Sequence, residues 1–190
     1  WLYDSFFTAR VSLDLTGNTD IEKNMYENYL LPENFDNIPD GMLPMCYPAD
    51  HYDGSYIPNW GMWFVLQLEE YLNRSGDQRM IEMLEPRVSG LLEYLAEFEN
   101  ESYLLENLEG WIFVEWSKAN DFVQDINYPT NMLYSKVLEV AGRLYNKTRY
   151  TKKAGLIRKA ILEQSFDGQF FVDNAMVENN KLKITDNRSE

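Results

Sequence analysis

Pro58-Asn59-Trp60-Gly61-Met62-Trp63-Phe64-Val65-Leu66-Gln67-Leu68 opens on a proline and continues apolar nearly all the way round. Proline suits the first helical position, where its fixed φ is right and its missing N–H is not needed. The segment runs on through Tyr71 and Leu72 to Ser75-Gly76, and Asp77 starts the next element. An apolar first half and a polar second half predict a helix buried on both sides at its start. The helix that follows spans about 78–99. It carries one stripe, Met80, Met83, Leu84, Val88, Leu91, Leu92, Leu95 and Phe98, with Pro86 inside it as a kink point.

The same unit recurs downstream. Pro129-Thr130 starts a helix through Met132, Leu133, Val137, Leu138, Val140, Ala141 and Leu144. Asn146-Lys147-Thr148 breaks it, and a second helix covers about 149–165. Upstream, a helix over 3–16 shows a stripe of Phe6, Phe7, Arg10, Val11, Leu13 and Leu15, with Asp4 as its cap and Gly17 as its stop. Thr19-Asp20 starts its partner, which runs to about Leu31 and ends at Pro32. Sequence identity between the units is weak, so it is the architecture that repeats.

Long segments, 32–58 and 99–128, precede the first helices of the second and third pairs, which places both on one face. Segment 32–58 holds Met42, Leu43, Met45, Cys46 and Tyr47, too apolar for a linker. After a turn at Phe166-Asp167-Gly168, residues 169–173 and 181–184 are expected to pair as a short hairpin. The expected fold class is all-α: helical hairpins forming roughly half of an (α/α)6 barrel, with a short β-hairpin near the C-terminus. Three pairs are half of six, and the chain opens abruptly on Trp1-Leu2-Tyr3-Asp4. Residues 1–190 are therefore read as a fragment of a single barrel domain.

With 45% hydrophobic and 15% aromatic residues, the chain can build a real core. A formal charge of −14 repels phosphate backbones, which argues against nucleic acid as a partner. No apolar run reaches the ~18 residues of a membrane span. Cys46 stands alone, so no internal disulfide is expected.

Two aromatic and acidic stretches carry the candidate chemistry. One is Gly110-Trp111-Ile112-Phe113-Val114-Glu115-Trp116-Ser117-Lys118-Ala119-Asn120-Asp121. The other runs from Tyr47 through Asp50-His51-Tyr52-Asp53 and Tyr56 to Trp60. Glycoside hydrolysis needs carboxyl groups across a sugar and flat apolar faces to stack on it. Trp60 and Trp116 supply such faces, or else they fill the core; Trp63, on the same helix as Trp60, is assigned to the core. Asp50, His51 and Asp53 bond the loop to itself or to ligand hydroxyls. One His with scattered acids is a poor metal set, and neither a metal nor a cofactor is expected. Asp121 and Asp125 are read as a solvated face or a cap. Four Asn-x-Ser/Thr triplets, at Asn73, Asn100, Asn146 and Asn187, are read as turn chemistry. A lone His makes nucleophilic triads improbable.

Trp1-Leu2-Tyr3-Asp4-Ser5-Phe6, the Met42-to-Trp60 loop and Phe113-Val114-Glu115-Trp116, in that order and spacing, resemble bacterial α-L-rhamnosidases of glycoside hydrolase family 78. These belong to the six-hairpin glycosidases, and the likeness is to large members from gut Bacteroidetes. The resemblance implies an (α/α)6 barrel that removes terminal α-L-rhamnose with inversion, using one Glu as general acid and another as general base. It places the acid a few residues before Trp1 and the base beyond Glu190. Trp1 and Asp4 match the family's Trp-x-x-Asp, and Trp60 matches the Trp that opens an inner helix. Val114-Glu115-Trp116 stands where the family has Gly-Asp-Trp, a departure that touches sugar preference. The substrate-binding set expected overall is Trp1, Asp4, Asp50, His51, Tyr56, Trp60, Glu115 and Trp116, with no catalytic residue within the chain. The implied partners are a carbohydrate substrate and the rest of the catalytic domain, and the implied location is periplasmic or secreted. A different α/α-barrel glycosidase or lyase, or a non-catalytic helical-repeat binding module, are the competing readings.

Overall fold

Three helix pairs form where the pattern places them: α1 (Leu2–Thr16) with α2 (Asp20–Asn28), α3 (Pro58–Ser75) with α4 (Gln78–Ala96), and α5 (Tyr128–Leu144) with α6 (Thr148–Ser165). This computed structural model describes residues 1–32, 34–47, 53–116, 123, 125–179 and 181–184. Helix α3 packs against α1 on one side and α5 on the other, while α2 and α6 pack on their own partners. The architecture is that of three helical hairpins whose first helices lie side by side.

The two halves of α3 do different work. In its first half Trp60, Met62, Phe64 and Val65 are buried, along with Leu68 and Tyr71 further on. Each such side chain stabilises the fold by about 2 kcal/mol relative to exposure. The polar half ties the neighbouring helices together through charge. On the α1 flank, Glu70 takes the guanidinium groups of Arg10 and Arg74, and Arg74 also reaches Glu22 of α2 at 2.6 Å. The Glu22 side chain is only 3% exposed. It is paired inside by Arg74 and accepts from Gln67 Nε2 at 3.2 Å, and Gln67 in turn accepts from Ser5 of α1. On the α5 flank, Arg143 forks onto Glu69 at 2.7 and 2.9 Å, and Glu139 gathers Arg143, Arg158 and Lys136.

The loop before α3 is ordered core. Met42, Leu43 and Met45 are buried, Met45 O accepts from Leu2 N at 2.9 Å, and Pro44 O accepts from the Tyr29 hydroxyl at 3.0 Å. Arg87 of α4 donates to the carbonyls of Tyr29 and Pro32. Gly41, at φ 82°, lies against α4 so closely that a Cβ would fall 2.4 Å from Gly90 O. Only glycine fits that backbone-on-backbone approach.

Asn59, the second residue of α3, joins three elements. It is 3% exposed; its Nδ2 donates to Thr130 Oγ1 of α5 at 3.0 Å, and its Oδ1 accepts from Phe113 N at 3.1 Å. Asn131, one residue after Thr130, holds the preceding loop in the manner of a strand. Its Oδ1 accepts from Leu105 N at 2.7 Å, and its Nδ2 donates to Leu105 O and Asn127 O.

The structure departs from the sequence reading at several element ends. Helix α2 stops at Asn28, three residues short of Leu31, because the residues before Pro32 are biased out of helix and close a tight turn. Helix α4 continues through Pro86 but stops at Ala96, and Glu99 instead bridges to Leu105. Asp4 does not cap α1: the cap position is Trp1, without a side-chain bond, and Asp4 lies in the first turn. Trp63 is half-buried among Tyr3, Phe6 and Phe7 rather than in the central core. The hairpin forms, but its first strand is β2 (Asn174–Glu178) rather than 169–173, paired with β3 (Lys181–Ile184). Residues 167–170 are taken by a turn in which Asp167 Oδ1 accepts from Gln169 N and Phe170 N. Val172 N is held by Ser165 O. A two-residue strand, β1 (Ile126–Asn127), adds antiparallel to β2 and makes a three-stranded sheet. Of the Asn-x-Ser/Thr triplets, Asn100 closes a turn through its Oδ1, accepting from Ser102 N and Leu104 N.

Two stability tests follow from these contacts. Asn59→Ala strands a buried N–H on Phe113, and the expected cost is about 1–3 kcal/mol in urea unfolding; an unchanged midpoint would show the joint to be dispensable. Arg143, then Lys136 and Arg158, hold the Glu139 carboxyl down to about 2. The folded value is depressed, so the stabilisation is full above the ordinary carboxylate range near ~4.3 and is lost as pH falls toward about 2. Glu139→Gln should therefore lower Tm at pH 7 by the equivalent of about 1 kcal/mol and leave it little changed near pH 2, read by calorimetry.

Candidate active site

The N-terminal ends of α1 and α3 and the segment after Gly110 meet in a continuous aromatic wall. The Trp1 ring stands edge-on to Trp60 at 5.4 Å, and Tyr3 stacks on Trp60 at 6.1 Å. Trp60 meets Phe113 at 5.8 Å, and Phe113 meets Trp116 at 4.9 Å. Trp111 closes the group, 5.6 Å from Phe113 and 6.0 Å from Trp116. Edge-to-face pairs at these separations are each worth about 0.5–1.5 kcal/mol beyond burial.

Local geometry fixes the 110–116 segment. Gly110 has φ 90°, and a Cβ there would sit 2.6 Å from the Tyr56 ring. Trp111 N donates to Tyr56 O at 2.9 Å, and Phe113 N is held by Asn59. The chain therefore runs flat across the start of α3. Phe113 is buried and Trp116 is left 78% exposed. An indole with its face open to water, braced from behind by another ring, is a surface on which a sugar can stack.

Of the expected site residues, Trp1, Trp60 and Trp116 join this wall, Trp60 buried as its foundation and the other two exposed. Asp4 and Glu115 are exposed at its edge. Burial raises the Tyr3 hydroxyl above its ordinary value, and the charges of Glu115 and Asp4 push it the same way, so both carboxylates act on the ring that backs Trp60. Glu115 also accepts from its neighbour's N–H at Trp116. Tyr56 sits elsewhere than expected of a wall residue. Its ring is buried under Gly110 and its hydroxyl is 2.8 Å from that of Tyr94 on α4, which makes it a prop for the segment above. Asp50 and His51 lie outside the described residues, as does Asp121.

Sequence reasoning missed the supports. Tyr3 and Phe113 carry the ring contacts between Trp60 and the exposed indoles, and Asn59 sets the height of the wall. One signal for Asn59 was present: Pro58-Asn59 and Pro129-Thr130 stand at the same place in the two repeats, and their polar members bond to each other. The buried indole N–H of Trp60 has no acceptor among the described residues. Such unmet buried donors are uncommon and call for an explanation.

A cavity of about 500 Å³ lies beside the wall, between the 105–112 segment and the start of α5. It shares Trp111 with the wall and contains none of the other ring contacts. Among the described residues, no group of three or more His, Cys, Asp or Glu side chains converges as a metal set. No helix among them is long and apolar enough to cross a membrane.

The fold is shared with solved structures. A GH78 family rhamnosidase of Bacillus sp. GL1 superposes with a TM-score of 0.56 at 23% identity, over 63% of this chain and 13% of that one. A rhamnosidase from Klebsiella oxytoca with rhamnose bound superposes with a TM-score of 0.59 at 18% identity, over 70% of this chain and 28% of that one. The chain thus spans well under a third of either relative. No curated protein sequence matches it. Residues 11–184 match the model of the bacterial α-L-rhamnosidase six-hairpin glycosidase domain, which is most of the chain. The chain belongs to that family of glycosidase domains.

Proposed function

We propose that residues 1–190 are part of a single (α/α)6 catalytic domain of an inverting exo-glycosidase that removes terminal α-L-rhamnose from plant or microbial glycans. This chain supplies substrate-binding walls and neither catalytic Glu. The observation that carries the reading is the aromatic wall from Trp1 through Trp60 and Phe113 to Trp116, with Asp4 and Glu115 on its edge. A 6-deoxy sugar presents a methyl group and an apolar ring face to stack on indole, and hydroxyls to accept from or donate to carboxylates.

In this reading Trp116 is the stacking face, and Glu115 and Asp4 accept hydrogen bonds from sugar hydroxyls. Trp1 closes the near side of the pocket. Inversion needs an acid and a base far enough apart to admit a water, roughly 6.5–9.5 Å. The resemblance places both outside this chain, so the acid–base step belongs to the remainder of the domain. Glycan substrates of this kind are met outside the cell, which fits a periplasmic or secreted enzyme.

The test uses an aryl α-L-rhamnoside. The 190 residues alone should show no turnover, and the full-length protein should. Glu115→Gln in the full-length protein should reduce kcat/KM by about 10- to 100-fold, as loss of a charged hydrogen bond to substrate does. Turnover by the isolated chain that disappears in its Glu115→Gln variant would instead make Glu115 the catalytic acid and overturn the assignment.

A further inference from the structure

The cavity beside the wall is not used by the reading above. Resting on that reading, we propose that this cavity is the subsite for the sugar residue that carries the rhamnose, and that it selects a neutral sugar over a uronic acid. Its volume of about 500 Å³ is within the usual range for small-molecule sites. Position is the first argument. Trp111 is 49% exposed and belongs both to the cavity lining and to the wall, touching Phe113 and Trp116. A glycan seated against Trp116 continues past Trp111 into this space.

The lining gives the chemical class. The floor is preorganised: Asn127 Oδ1 accepts from Thr130 N at 2.9 Å, Asn127 Nδ2 donates to Asn174 Oδ1 at 2.9 Å, and Thr130 Oγ1 accepts from Asn59. At the mouth, the side chains of Asn107 and Glu109 are exposed and make no hydrogen bond to the described residues, which leaves an amide and a carboxylate to meet hydroxyls. Asp125 adds a second carboxylate, held in place by Val177 N. Among the described residues, no Lys, Arg or His lines the cavity. A uronate entering it meets two like charges and, among the described residues, no counter-charge, within a chain of net charge −14. Like charges a few ångströms apart near a surface repel strongly, and the repulsion weakens with salt.

The experiment compares three substrates in the full-length protein: an aryl α-L-rhamnoside, rhamnose linked to a neutral hexose, and rhamnose linked to a hexuronic acid. At low salt, kcat/KM should favour the neutral disaccharide over the uronate by about tenfold. In ~1 M NaCl, where the Debye length is about 3 Å, the two should approach parity. Glu109→Gln should narrow the low-salt preference to about threefold and leave the aryl rhamnoside within about twofold of wild type. Parity of the two disaccharides at low salt overturns the proposal, as does an equal loss on the aryl substrate in Glu109→Gln. If aryl rhamnoside is turned over without a preference between disaccharides, only this inference fails. If none of the three is turned over, the glycosidase reading fails and takes this one with it.

Discussion

The amide of Asn59 sets two distances at once. Its nitrogen fixes how far the start of α3 stands from α5, and its oxygen fixes how high the 110–116 segment rides above both. Both bonds are made inside the protein, where an unpaired donor or acceptor costs about 1–3 kcal/mol. The alternatives to this geometry are therefore penalised more than the geometry itself is rewarded. Gly110 against Tyr56 adds a steric limit on the other side, since any larger residue would lift the segment away. Between a polar tether and a steric stop, Phe113 has one place to go, and the exposed indoles are built upon it.

The chain keeps charge and aromatic surface at opposite ends of the same helix. The start of α3 is apolar and bears the wall; its end bears Glu69, Glu70 and Arg74, which link α1, α2 and α5. Ion pairs that are largely exposed contribute little individually, but Glu22 is buried, and its partner Arg74 cannot be removed without leaving a carboxylate stranded. This network fixes the lateral positions of the helices at the end remote from the wall. At the rim, the carboxylates of Asp4 and Glu115 stay exposed where a polar ligand can reach them.

Helix existence and order were legible because periodicity, prolines and glycines are local signals, and the Pro58 and Pro129 repeats alone imply hairpins with their long loops on one face. Strand placement near the C-terminus was not legible. Gln169-Phe170-Phe171-Val172-Asp173 has the composition of a strand, but Asp167 captures the next N–H groups and Ser165 captures Val172, so pairing shifts to Asn174. Strand choice there is a competition between neighbouring hydrogen bonds that composition does not rank. The candidate site divides in the same way. Exposed aromatic residues in loops, Trp1 and Trp116, could be nominated from residue type. Tyr56 could not be told from them, because an aromatic loop residue that lines a cleft and one that props the loop from beneath differ only in which way the ring faces. The supports, Tyr3 and Phe113, have no chemical signature in a sequence that is 15% aromatic.

The departure at Val114-Glu115-Trp116 has a physical consequence that bears on the sugar. Where the resemblance sets Gly-Asp-Trp, this chain places a β-branched residue and an acid one methylene longer. Valine avoids the left-handed region that glycine opens, and Val114 is not among the positive-φ residues, so the turn freedom of a glycine is not used here. The longer acid reaches further from a backbone that is already pinned at Trp111 and Phe113. A carboxylate carried on a longer arm from a fixed base meets a hydroxyl set further from the wall, or the same hydroxyl at a different angle. Preference among deoxy-sugars that differ in one hydroxyl is thus expected to vary with the length of the side chain at Glu115. In the proposed reading, the stacking face at Trp116 serves all of them alike.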